Sequence, residues 1–86
     1  MTKPLYCLLR ERCGLTLNEA AEYHRVSLSS VEKWSKGSRN PPDSILAELR
    51  MLYAEIERAA HSEARLSKLP CQGAQDAARG LAAISQ

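Results

Sequence analysis

Apolar residues along this chain recur mostly at intervals of three and four, the spacing of helices that bury one face. Nowhere does period-two alternation with β-branched residues persist, so no strand is expected and the fold class reads as all-α. Gly14, the stretch from Gly37 to Pro42, and Pro70 with Gly73 punctuate the chain and divide it into helical blocks.

The first block, Pro4 to Cys13, sets Leu5, Leu8 and Leu9 to one side and turns Arg10, Glu11 and Arg12 to water. Pro4 suits a first helical turn, where its missing N–H has no partner in any case. Gly14 supplies a left-handed C-terminal cap. Thr16-Leu17-Asn18-Glu19 is a capping box that opens a second helix. On it Leu17, Ala20, Tyr23 and His24 share the inner face, while Asn18 and Glu22 point outward. Arg25-Val26-Ser27 interrupts this helix, and Ser27 caps a third that runs from Leu28 to about Lys36. Val31 and Trp34 face inward there with Leu28 flanking, and Ser29, Glu32, Lys33 and Lys36 fall on the opposite side. Gly37 closes the third helix. The loop Ser38-Arg39-Asn40-Pro41-Pro42 leads into a fourth helix, spanning Asp43 to His61.

On this long helix Ile45, Leu49, Leu52, Ile56 and Ala59 alternate spacings of four and three, a coiled-coil-like seam, and Leu46, Tyr53 and Ala60 add a second line. The stripe is longer than the three preceding helices can cover. Its second half therefore needs a partner: the C-terminal segment around Leu66, Leu69 and Leu81, the same helix of a second copy, or both together. The expectation is a homodimer with Leu52, Tyr53, Ile56, Ala60, Leu66 and Leu69 at the subunit interface. The architecture reads as four to five helices. Residues 1–69 read as one unit that includes the long helix, and residues 70–86 as a tail. In that tail Gln75 to Ile84 makes a short helix with Leu81 and Ile84 as its only anchors.

Composition narrows the classes. Eighty-six residues fit one domain with a modest core. Cys7, Cys13 and Cys71 are odd in number and lack a C-x-x-C spacing, and His24 and His61 are too scattered to complete a ligand set, so neither a disulfide framework nor a metal site is expected. No paired carboxylates, Ser/His/Asp set or phosphate-cradling glycine loop is present, which argues against an enzyme. Nothing calls for a cofactor or a small-molecule effector. The apolar runs are far shorter than the roughly 20 residues of a membrane span, and the N-terminal MTKPLYCLLRERC carries no cleavage signature, so a soluble, cytoplasmic protein is expected. A net charge of +2 says little by itself. Any nucleic-acid role rests on where the cations lie.

The segment LTLNEAAEYHRVSLSSVEKWSKG, residues 15 to 37, resembles the helix-turn-helix of the Cro/lambda-repressor-like (Xre) family and aligns with it without a gap. Ala21 stands where that motif has a small residue at the helix crossing, Val26 fills the apolar plug of the turn, Val31 and Trp34 supply the inner face of the recognition helix, and Gly37 ends it. The resemblance covers residues 5 to about 50. It implies that the third helix enters a major groove while the second lies across the backbone. It places base contacts on Leu28, Ser29 and Lys33 with Ser27 and Glu32 nearby, although Glu32 also suits a pair with Lys36. Thr16, Asn18, Lys36, Ser38, Arg39 and Asn40 are placed to hold phosphates. The partner implied is double-stranded DNA, read by a homodimeric repressor of transcription on an inverted repeat.

Three positions depart from the family pattern. Arg25 stands at the glycine of the turn, His24 at a leucine, and Ser35 where a glutamate often pairs with the arginine here numbered 10. The long fourth helix is also unlike the two shorter helices usual there, and looks more like small phage-associated regulators found beside anti-CRISPR genes, which implies autorepression of an operon. A different class of reading is a protein-interaction module, such as an antitoxin whose Ala/Gly/Gln-rich tail wraps a partner protein.

Overall fold

Local cap chemistry sets where the helices begin and end. The computed structural model describes residues 3–84, and these form six helices: α1 (Leu5–Arg12), α2 (Leu17–His24), α3 (Leu28–Lys36), α4 (Asp43–Ala59), α5 (Glu63–Leu66) and α6 (Gln72–Ile84). No strand occurs among the described residues, and the protein is a small all-α domain.

Helices α1, α2 and α3 end in one way. At each, a residue in the left-handed region lets the next N–H reach back five residues, the Schellman arrangement that satisfies helix-end carbonyls. Leu15 N–H donates to the Arg10 carbonyl at 3.2 Å past Gly14, Val26 N–H to Ala21 at 3.0 Å past Arg25, and Ser38 N–H to Lys33 at 3.1 Å past Gly37. Gly14 (φ +71°) and Gly37 (φ +83°) take this conformation without steric cost. Arg25 takes it too, at φ 59° and ψ 45°, as the one non-glycine residue of positive φ among the described residues. The unusual turn residue therefore leaves the turn geometry unchanged and stores strain instead.

The core is assembled on α4, whose 17 residues span about 26 Å. Its N-terminal half meets α1, and its C-terminal half meets α5 and α6, while α2 packs on α3 and α3 on α1. Leu49, Ile56 and Ala59 are fully buried, with Ile45 and Leu52 nearly so. Cys13, at the end of α1, is also fully buried and donates its thiol to the Leu49 carbonyl at 3.4 Å.

The long seam is covered within the chain by the C-terminal segment, one of the two candidate partners for its second half. Leu52, Ile56, Leu66 and Leu69 are core residues of a single copy, while Tyr53 and Ala60 are half-buried. The cover is α6, which starts at Gln72 rather than at Gln75; of its two expected anchors, Leu81 packs against the core and Ile84 does not. Ala74 and Ala78 are completely buried and Leu81 is half-buried, whereas Ile84 is 83% exposed. The helix count is six rather than four to five because Glu63–Leu66 forms a short turn of helix. Residues 85 and 86 of the expected tail lie outside the described residues.

What positions α6 is a backbone-on-backbone contact. A Cβ built on Gly73 would lie 1.8 Å from the Gly14 carbonyl oxygen, and one built on Gly14 would lie 2.1 Å from the Gly73 carbonyl oxygen. Two glycines facing each other let the start of α6 rest on the α1–α2 turn. Cys71 fastens the same corner: its sulfur accepts from Ala74 N–H at 3.4 Å and lies 3.9 Å from the Gly14 oxygen.

Three outcomes test this account. Gly73→Ala forces the two backbones apart and should cost about 1–3 kcal/mol, the range for overpacking, lowering the melting temperature by several degrees; a parental melting curve would show that the approach is not close. Arg25→Gly relieves the left-handed strain and should stabilise by about 1 kcal/mol, less the entropy that glycine adds to the unfolded chain. Denaturant midpoints that do not rise would show Arg25 to be unstrained. Burial pushes the Cys13 thiol up from 9.0 to about 11 and the Tyr6 phenol up from 10.0 to about 12. Both groups stay neutral in the fold while the unfolded chain ionises first. Stability is therefore whole below pH 9 and declines as pH rises through 9–12, and a flat stability profile there would contradict their burial.

Candidate nucleic-acid interface

The pair α2 and α3 is held rigidly at both its starting points. Thr16 Oγ1 accepts from Glu19 N–H at 3.2 Å while Glu19 Oε1 accepts from Thr16 N–H at 3.0 Å, the complete reciprocal box. Ser27 Oγ accepts from Ser30 N–H at 3.3 Å and lies 3.1 Å from the Ser30 hydroxyl. Behind the pair, Ala20, Ala21, Val31 and Trp34 are buried in the shared core, with Val26 and Leu17 packed against it.

The polar backing of this unit is unusual. The His24 ring is wholly enclosed, and its Nδ1 lies 3.3 Å from Glu48 Oε2 on α4. Its ring packs against Tyr6, Tyr23 and Trp34, with centroids 5.9, 5.6 and 6.4 Å away. His24 thus ties α2 to α4, which an apolar side chain at that position does not do. Arg10 has no acid at position 35 to meet. It turns inward, Nη1 donating to the Leu15 carbonyl at 2.7 Å and Nη2 to Cys7 Sγ at 3.7 Å.

In front of this support lies the outer face of α3. Ser29, Lys33 and Lys36 fall within about 60° of arc at 100° per residue, and all three are exposed. Ser27 and Leu28 are exposed at the start of α3, Leu28 at its apolar edge. Glu32 is half-buried and makes no ion pair with Lys36, so both lysines of this face remain unneutralised by it. Ser38, Arg39 and Asn40 are exposed in the loop beyond, and Thr16 and Asn18 are exposed at the start of α2. The hydroxyls of Thr16, Ser27 and Ser38 are already engaged by the backbone, Ser38 donating to the Lys33 carbonyl at 3.3 Å.

Of the residues singled out for DNA contact on α2, α3 and the following loop, all are exposed except Glu32, which is half-buried. Sequence reasoning passed over Arg25 as a surface residue. Its side chain is exposed two positions before Ser27 and adds a cation beside the start of α3. Its charge was legible, but its turn position drew attention to backbone conformation alone.

No helix among the described residues is long and apolar enough to cross a membrane, and no group of three or more His, Cys, Asp or Glu could hold a metal ion there. Comparison with protein-family models, with curated proteins and with solved structures finds no match.

Proposed function

We propose that this chain is a cytoplasmic, sequence-specific repressor of transcription that binds double-stranded DNA as a homodimer on an inverted repeat and autoregulates its own operon. One observation carries the reading: a capped helix whose exposed face bears Ser29, Lys33 and Lys36 without an ion pair to any described residue. A free cationic face on a projecting helix suits the major groove, about 12 Å wide, where lysine donates to guanine O6 and N7. Leu28 at the helix start suits a thymine methyl. Phosphates fall to Lys36 and Asn40, and to the first turn of α2 around Thr16 and Asn18.

The interaction-module reading rested on a free C-terminal arm. Helix α6 instead packs against α4 with Ala74 and Ala78 buried, which supports the DNA-binding reading over it.

The direct test is a mobility-shift titration on the DNA upstream of the coding sequence, with a scrambled duplex as control. Preference for the native duplex is expected, and equal retardation of both removes sequence specificity from the proposal. Lys33→Ala should cost about 1–3 kcal/mol on the operator and relax preference at one base pair. Lys36→Ala should weaken all duplexes alike and lower the salt slope by about one unit. A Lys33→Ala protein that binds operator and random DNA as the parent does would move the reading face away from α3.

A further inference from the structure

With the α4 seam buried by the chain's own tail, a homodimer needs another surface. The chain exposes few large apolar side chains, and two of them sit one turn apart on α1: Leu5 is 51% and Leu8 39% exposed. Spaced three residues apart, they share a face. Leu5 also lines a groove of about 420 Å³ together with Pro4, Pro41 and Leu46, and Arg39 and Asp43 line the same groove. Arg39 and Asp43 are exposed, and neither makes a side-chain hydrogen bond or ion pair with the described residues. The patch thus has an apolar centre and one unspent charge of each sign, the anatomy of a small subunit contact.

We propose that this groove, with Leu5 and Leu8, is the contact between two copies of this chain. The occupant is a second copy because the charges are complementary to themselves. A two-fold axis through the groove lets Arg39 of one subunit face Asp43 of the other, and the reciprocal pair forms by symmetry. Leu5 of each subunit then covers the apolar wall of its partner. The groove is built from the start of α1 and the loop that follows α3. The inference rests on the DNA-binding reading only for why a dimer is needed; the contact itself is testable without DNA.

Sedimentation equilibrium on the full chain tests it. The parent should sediment as a dimer at about 50 μM, well above a micromolar dissociation constant. Leu5→Lys with Leu8→Lys should yield a monomer with an unchanged melting curve, because both side chains are on the surface; were this variant to unfold, the single charge variants still decide the matter. Arg39→Asp alone and Asp43→Arg alone should each be monomeric, since each puts like charges across the axis. Mixed in equal amounts, they should form a heterodimer, because each subunit then supplies what the other lacks. An intramolecular role for these charges predicts no such rescue. A monomeric parent, a Leu5→Lys/Leu8→Lys variant that stays dimeric, or a mixture without heterodimer overturns the proposal. A monomeric parent that still prefers the upstream duplex would overturn it while leaving the DNA-binding reading in place, and a dimer that ignores all duplexes would do the reverse.

Discussion

The fold depends on giving one long amphipathic helix enough cover. The apolar positions of α4 run its whole length, and no helix of eight or nine residues can shield more than about half of it. The chain solves this with two covers placed end to end, α1 over the first half of α4 and α6 over the second. The covers meet at Gly14 and Gly73, where the absence of two side chains lets the backbones touch. A hydrophobic requirement is thereby met through a steric one. The site-bearing α2 and α3 inherit their position from this frame, because α3 packs on α1, and His24 links α2 to α4 through Glu48.

Cap chemistry was the most legible part of the sequence. Thr16, Ser27, Gly14 and Gly37 each act locally, and each marks a helix end in the structure. Burial at Val31 and Trp34 followed from helical periodicity and holds. The C-terminal cover over α4 was legible as a candidate through Leu66, Leu69 and Leu81, but the residues of α6 that approach most closely were not, for a physical reason. Ala74, Ala78 and Gly73 offer little hydrophobic signal, and a segment rich in Ala, Gly and Gln reads as flexible. Those small residues matter because they let helices approach closely, a property that hydropathy does not register. The same blindness put Ile84 forward as an anchor, since a large apolar side chain looks like one wherever it falls, and here it faces water.

The polar interior shows a second kind of dependence. Tyr6, His24 and Trp34 form an aromatic cluster, and Tyr6 Oη, His24 Nε2, Trp34 Nε1 and Ser35 Oγ are buried without a hydrogen-bond partner among the described residues. Such groups cost stability when buried, of order 1–3 kcal/mol each in mutational data. Substituting serine for the glutamate that the resemblance leads one to expect removes the natural partner of Arg10, whose Nε is likewise without one. Arg10 compensates by donating to the Leu15 carbonyl, which bridges the α1–α2 turn at the place where α6 docks. A missing ion pair is thus replaced by a backbone contact that braces the same corner as the two glycines.

That corner bears on how the candidate interface would work. The hydroxyls of Thr16 and Ser27 are already occupied as caps, so they are poorly placed to carry the recognition that their surface positions suggest. What the caps do provide is orientation: they fix the first turns of α2 and α3, whose leading N–H groups point outward and favour an anion. On the proposed reading, discrimination between bases would rest on Ser29, Lys33 and Leu28, whose side chains make no hydrogen bond or ion pair with the described residues. Backbone dipoles would set the register and a few free side chains would read the groove. Under that proposal a modest net charge of +2 would suffice, because only the cations around α3 would need to face the duplex.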